Sequence, residues 1–247
     1  RKGGVNIVPL TGVFRSLEEL QEYDPDETSN FEIGIKGIVA DQYRFSAAAY
    51  LIEWSDVQVD DGNSAGFMRV LNGGEAESKG FEFELDGQVN DNLSFRLAYA
   101  YSDAGLTENV EILDYGFGGT RIRSTYNGPK GEKFPGSMKH SASWAFDYLH
   151  PINGDLALDF HVNGSYRGKT TADYSTQASF FKVKSFTTWD ASVSLTADGW
   201  AATLFVANLT NEFGSPGRRP EAQVSAPFVQ VFHARPRTIG LRLAYDW

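Results

Sequence analysis

The sequence predicts an all-β fold: the wall of an antiparallel transmembrane β-barrel, with about nine strands between residue 29 and the end. Three observations predict it. The run from Pro236 to Trp247 alternates strictly, with Ile239, Leu241, Leu243, Tyr245 and Trp247 on one parity and Gly240, Arg242, Ala244 and Asp246 on the other. In most alternating segments the apolar parity carries no Lys, Arg, Asp or Glu. A lipid face requires this, because a cationic side chain at the bilayer midplane costs roughly 2–4 kcal/mol. Finally, short and long connections alternate along the chain, as periplasmic turns and extracellular loops do.

The elements follow in order. Residues 1–28 read as an extracellular loop, in which Ser16-Leu-Glu-Glu19 has capping-box spacing but too short a run to hold a helix. From residue 29 to 247 the period is two. Phe31, Ile33 and Ile35 oppose Glu32, Gly34 and Lys36; a second strand runs from Tyr43 to about Val59, with Phe45, Ala47, Ala49 and Leu51 alternating before the pattern blurs at Ile52 and Trp54. Phe81, Phe83, Leu85 and Val89 oppose Glu82, Glu84 and Asp86, and Leu93, Phe95, Leu97, Tyr99 and Tyr101 oppose Ser94, Arg96, Ala98 and Ser102.

The fifth strand sets Met138, His140, Ala142, Trp144, Phe146 and Tyr148 against Lys139, Ser141, Ser143 and Asp147. The sixth sets Leu156, Leu158, Phe160, Val162 and Tyr166 against Asp159, His161, Asn163 and Arg167. Then come Trp189, Ala191, Val193 and Leu195 against Asp190, Ser192 and Ser194, followed by Trp200, Ala202, Leu204 and Val206, and the terminal strand. The short connections are Ala40–Gln42, Asn90–Asn92, Leu149–Asp155 and Thr196–Gly199; the long ones are about 60–74, 104–136, 168–182 and 209–235.

A soluble β-sandwich also alternates. Its core would use more Val and Ile, and it has no reason to keep short and long connections in alternation. Here Tyr43, Tyr148, Trp200, Tyr245 and Trp247 sit beside turns or the terminus, where an interfacial aromatic girdle is needed. Strands of about 10 residues, tilted near 45°, cover about 25 Å of apolar height.

The totals agree. Lys+Arg of 22 against Asp+Glu of 32 leaves a net charge of −10, which repels nucleic-acid phosphates. There is no cysteine, hence neither a disulfide framework nor a thiolate metal site. No run approaches the roughly 18 apolar residues of a membrane helix. Mean hydropathy is −0.33, which does not count against a barrel, because only alternate residues face lipid. The opening Arg1-Lys-Gly-Gly has no hydrophobic signal region.

Several stretches resemble the C-terminal part of a TonB-dependent outer-membrane receptor. They are Arg1-Lys-Gly-Gly-Val-Asn6; Asp24-Pro-Asp-Glu-Thr-Ser-Asn-Phe-Glu-Ile-Gly-Ile-Lys36; Asn72-Gly-Gly-Glu-Ala-Glu-Ser-Lys-Gly-Phe-Glu82; and the last hairpin, Trp200 to Asn211 with Phe205-Val-Ala-Asn-Leu-Thr-Asn, closed by Pro236 to Trp247. The resemblance implies a barrel of about 22 strands filled by a plug. It also implies import of a scarce nutrient such as a ferric siderophore, energised through TonB, at the outer membrane. The partners it implies are membrane lipid and lipopolysaccharide, the plug and remaining barrel strands, the TonB complex through the plug, and a small-molecule ligand. Here a plug and TonB box are missing and the strand number is odd, so the expectation is a fragment or one chain of a multi-chain barrel. An open edge in lipid would leave backbone groups unpaired at several kcal/mol each. A smaller even barrel would need Val5–Phe14 as a tenth strand, against which Pro9 argues. A structural or adhesion barrel without transport is the alternative function.

Candidate chemistry is sparse. Lumen-parity charges are Glu32, Lys36, Glu82, Glu84, Asp86, Arg96, Lys139, Asp147, Asp159, Arg167, Asp190 and Arg242; they line a wet interior or pair with one another. The loop 104–136 holds Tyr115, Phe117, Arg121, Arg123 and Tyr126 among glycines. Of these, Tyr115, Arg121, Arg123 and Tyr126 are the candidate ligand-binding residues, since aromatics with Arg suit an anionic siderophore. Arg218 and Arg219 in the last loop suit the same ligand or lipopolysaccharide phosphates. His140, His150, His161 and His233 lack ligand spacing, so no metal site and no cofactor are expected. No enzyme is expected either: Ser143, His161 and Asp147 are the nearest approach to a triad, and Glu82, Glu84 and Asp86 the nearest to a carboxylate pair. Asn92, Asn163 and Asn208 match the glycosylation pattern, but two lie on or beside membrane strands.

Overall fold

The computed structural model describes residues 2–6, 22–62, 68–115, 121–175, 180–214, 217–220 and 229–245. Its main element is a nine-stranded antiparallel sheet: β1 (Glu27–Val39), β2 (Tyr43–Ser55), β3 (Ala76–Asn90), β4 (Leu93–Leu106), β5 (His140–Asn153), β6 (Leu156–Arg167), β7 (Phe186–Ala197), β8 (Trp200–Ala207) and β9 (Thr238–Tyr245). Each strand pairs with the next along the chain, giving a simple meander. Among the described residues there is no helix. Ser16–Glu19, Val8–Phe14 and Trp247 lie outside the described residues.

Register decides the faces, because a one-residue slip would turn a strand's apolar set over. Every interface joins like parity to like. Ile33 lies opposite Ala49, which lies opposite Phe81, then Tyr101 and His140. Farther round, Phe146 faces Val162, Val162 faces Ala191, Ala191 faces Val206 and Val206 faces Ile239. One continuous apolar surface results. Ile33 is 77% and Leu243 73% exposed, as large hydrophobic side chains on a lipid-facing surface are.

All four short turns fall at one end of the sheet. Ala40 and Asp41 both adopt positive φ, 52° and 57°, at the centre of the three-residue connection between Val39 and Tyr43, as a hairpin turn matched to strand twist requires. At the β3–β4 turn, Asn90 Oδ1 accepts from the backbone N–H groups of Asn92 and Leu93, each at 2.9 Å. Gly154 and Gly199 supply the positive φ of the other two.

The opposite end differs from the sequence-based expectation. Each long connection folds as a two-stranded ribbon: Gln58–Gly62 with Met68–Asn72, Val110–Tyr115 with Arg121–Gly128, Thr170–Thr171 with Lys182–Val183, and Gly217–Pro220 with Val229–Phe232. β2 therefore stops at Ser55, where Asp56 at φ 52° breaks the strand, and does not run to Val59. β5 begins at His140 rather than Met138, and Leu149–Asn153, expected in a turn, is paired with β6 up to a bulge beside Pro151. A bulge is where a sheet tolerates proline, which has no N–H to donate. At the other boundary, Glu27 and Thr28 already belong to β1. Val5 pairs with Glu22 rather than with a sheet strand.

Among the described residues the buried core sits at the bases of these ribbons, where the long-loop ends of β3 and β4 pair. Val57, Ala76, Leu106, Val110 and Tyr174 form it, with Trp54, Val59, Leu71 and Phe134 packed around. Asn6 holds the Val70 backbone through both its amide atoms, at 2.7 and 2.8 Å, and Trp54 Nε1 donates to Asp26 at 3.0 Å. The first residues are thereby tied to the long-loop end.

Candidate functional site

Two places hold chemistry: the polar face of the sheet and the rim where the ribbons meet. On the polar face the alternate residues of β2–β8 form cross-strand pairs. Arg44 forks onto Asp86 Oδ2 at 2.7 and 3.0 Å, and Arg96 is Asp86's register partner on the other side. His161 Nδ1 meets Asp147 at 2.5 Å, and Ser165 meets Thr188 at 3.1 Å. A cleft of about 720 Å³ near the short turns is bordered by Arg44, Asp86, Arg96 and Asp147. Polar and charged, this face matches the lumenal side of a barrel wall.

The residue sets that come nearest to catalytic groupings in sequence are not brought together. Asp147 and His161 touch, but Ser143 lies four residues along β5, roughly 14 Å away at about 3.4 Å per residue. Its own register partners are Ala98 and Ser165. Asp86 is engaged by Arg44, while Glu84 and Glu82 stand opposite Ser46 and Ala48. Among the described residues no three of His, Asp or Glu converge on a point. His140 bonds Tyr99 at 2.7 Å and His150 lies against Tyr148.

Tyr115, Arg121, Arg123 and Tyr126 fall on one ribbon. Arg121 pairs with Tyr115 and Tyr126 with Ile112 across it, so the backbone brings the four onto one hairpin; their side chains lie outside the described residues, as do those of Arg218 and Arg219. Of the aromatic set at the turns, Tyr43, Tyr148, Trp200 and Tyr245 all lie toward the short-turn end. Trp200 is opposite Tyr245, the Tyr148 ring lies tilted 6.1 Å from Phe160, and Tyr43 lies 6.0 Å from Phe95.

Sequence reasoning missed a second aromatic row at the other end. Phe81 lies 5.5 Å from Tyr99 and 6.2 Å from Tyr101, and His140 lies 5.3 Å from Tyr101. Each is visible in sequence; only register aligns them. Beside them Trp144 and Trp189 meet at 4.8 Å across Gly164, where an added Cβ would stand 2.6 Å from Trp144 Nε1.

Also missed is the polar knot that closes the last loop. Asn208, at φ 51°, donates through Nδ2 to the carbonyls of Glu212 (2.9 Å) and Arg235 (2.8 Å) and accepts from Glu212 N at 2.8 Å. Its own N–H donates to Asp190 Oδ1 at 2.6 Å. The available signal was Phe205-Val-Ala-Asn-Leu-Thr-Asn, whose asparagine is a buried structural bridge and not a glycan acceptor.

Above the outer aromatic row, and beyond the apolar belt, Asp103 bonds both Lys133 and Lys139, the latter at 3.3 Å. The Lys133 ammonium hydrogen-bonded to it holds the Asp103 carboxyl below the usual carboxylate range, against an opposing contribution from burial.

This arrangement is matched by known proteins. Residues 13–209 fit the family model "TonB dependent receptor-like, beta-barrel". The chain is 28% identical over 169 residues to the metal-pseudopaline receptor of Pseudomonas aeruginosa, covering 68% of this chain and 21% of that protein. It is 32% identical over 126 residues to a probable TonB-dependent siderophore receptor of Acinetobacter baumannii, covering 50% and 16%. In fold it is similar to the ferric yersiniabactin uptake receptor of Yersinia pestis, with a TM-score of 0.72 and 18% identity, over 100% of this chain and 33% of that one. The chain thus spans about a fifth of the first curated relatives' length, and that family is one of transporters. A continuous apolar face, a charged inner face, alternating turn lengths and the family match together make this chain a member of the TonB-dependent receptors, a portion of their outer-membrane β-barrel.

Proposed function

We propose that this chain is wall and mouth of an outer-membrane transporter that imports a scarce nutrient such as a ferric siderophore, and that it performs no catalysis itself. The observation that carries the reading is the division of the sheet: lipid-compatible on one face, charged on the other, with four ribbons gathered at one end. That relatives of similar sequence are named as a metal-pseudopaline receptor and a probable siderophore receptor supports the substrate class. In this reading Tyr43, Tyr148, Trp200, Tyr245 and Trp247 form the inner-interface girdle. Residues 1–28 approach from outside, and the lumenal charges meet a plug that gates passage and engages TonB.

Ligand capture is assigned to the hairpin of Tyr115, Arg121, Arg123 and Tyr126, where guanidinium forks and rings would hold a planar anionic chelate. The test is uptake of radioiron-loaded hydroxamate, catecholate and carboxylate siderophores by cells carrying the native receptor. Arg121→Gln with Arg123→Gln should weaken binding of the transported chelate at least about tenfold, the worth of one charge-assisted contact, with barrel assembly unchanged. Unchanged affinity would move capture elsewhere; no uptake of any chelate and no dependence on TonB would return the adhesion reading.

A further inference from the structure

We propose that Tyr174 is a positioning residue for ligand capture: its ring, delivered from the loop after β6, fixes the orientation of the Val110–Gly128 hairpin. That hairpin carries Tyr115, Arg121, Arg123 and Tyr126, so the proposal rests on the assignment of capture to it.

A two-stranded ribbon alone is only marginally stable in water, so its direction has to come from its foot. The foot is the pair Gly128–Val110. Beneath it the chain is tied to the end of β4. Lys130 N donates to Asn109 Oδ1 at 2.8 Å, Gly131 N to Leu106 O at 2.8 Å, and Leu106 N to Glu132 O at 2.9 Å. On one side Val110, 2% exposed, packs with Val57 at the base of the first ribbon. Tyr174, 3% exposed, closes the other side. A Cβ added at Gly128 would stand 3.4 Å from Tyr174 Cε1 and 3.5 Å from its Cδ1, and would collide with Leu106 Cδ1. Glycine therefore lets the hairpin's backbone pass between the leucine and the tyrosine ring.

Tyr174 is itself held. The Glu132 carboxylate accepts the Ser175 backbone N–H and, at 3.0 Å, the Ser175 hydroxyl. Gly136 N donates to Thr171 O at 2.8 Å, and Gly168 N to His140 O at 2.9 Å. The segment after β6 is thus bound both to the chain leaving the hairpin and to the wall. Leverage makes this contact matter. The pair Arg121–Tyr115 lies five residues beyond Val110, roughly 17 Å away at about 3.4 Å per residue. Binding constellations tolerate about 0.5 Å of misplacement, so a tilt of roughly 2° at the foot is enough to upset one at that distance. A group held in place before the ligand arrives costs less to order on binding. Tyr174 supplies that hold from beyond β5 and β6.

The test uses the native receptor and whichever of the radioiron-loaded hydroxamate, catecholate and carboxylate siderophores its cells take up. Tyr174→Ala should raise the concentration for half-maximal uptake about tenfold, with the maximal rate unchanged. In the purified receptor it should speed hydrogen exchange of the 110–128 amides while those of β5 and β6 keep their native rates. Tyr174→Phe retains the ring and should match the native protein in both measurements. Unchanged exchange in Tyr174→Ala would overturn the proposal, and so would a Phe variant as impaired as the Ala variant. A fall in maximal uptake without a change in half-saturation would also overturn it, leaving Tyr174 a core residue only. Arg121→Gln with Arg123→Gln separates the two claims. If that variant raises the half-saturating concentration and Tyr174→Ala does not, positioning fails and capture by the hairpin stands; if neither raises it, the capture assignment falls and takes this role with it.

Discussion

The nine-stranded sheet and the rim at which its long loops meet are organised for different solvents. In the sheet, large apolar side chains stay exposed on one face and charges line the other; β1 is exposed along nearly its whole length. At the rim, Val57, Leu106 and Tyr174 are buried to 3–4% exposure, as in a small water-soluble domain. The lesson is that the wall derives its order from backbone pairing and from lipid, which satisfies exposed leucines at no cost. The ribbons stand in water and must bury their own core.

Substitutions separate the two regions. The largest effect is expected at the rim: Leu106→Ala should cost about 2–5 kcal/mol of local stability through the cavity it leaves. Limited proteolysis should show loops cleaved faster while the barrel keeps its heat-resistant mobility in gels. Loss of the barrel band as well would mean that the rim core holds the wall, and the comparison would fail. Leu204→Arg on the apolar face of β8 should cost roughly 2–4 kcal/mol in urea titration in liposomes, whereas an arginine at a rim position of equal exposure should cost little. Equal costs at both places would remove lipid from the account.

Gly164→Ala comes next. The Trp144 ring occupies the space its Cβ would need, so overpacking of about 1–3 kcal/mol is expected, with a change in tryptophan fluorescence from the Trp144–Trp189 pair. The smallest effect belongs to Asp103→Asn, roughly 0–1 kcal/mol for a surface ion pair. Because its folded-state pKa is lowered, its contribution is complete above the ordinary Asp value and disappears as pH falls through the folded value. Proteolytic resistance of the rim should then be flat from pH 8 to about 5 and differ from the variant's by nothing below the carboxylate range; a difference that grew on acidification would reverse the sign.

The polar face was legible in parts. Asp147 and His161 could be assigned to the same face from parity alone, but that they touch while Ser143 stays apart depends on a register of Asp147 with His161. Asn208 matches the glycan-acceptor pattern in sequence; its bonds to Glu212 are local, but those to Asp190 and Arg235 use groups too distant along the chain for any local pattern to connect.

Alternation, the charge-free parity and the rhythm of short and long connections are local properties, and they determined by themselves that this chain is a membrane barrel wall with loops at one end. Pairing is not local. Which residues stand opposite one another, that the long loops fold into ribbons over a buried core, that Phe81, Tyr99, Tyr101 and His140 form a row, and that Lys133 and Lys139 meet at Asp103 were decided only by tertiary structure. The physical reason is that cross-strand neighbours are set by register between segments tens of residues apart, and a period of two says which face a residue takes but not whom it meets there.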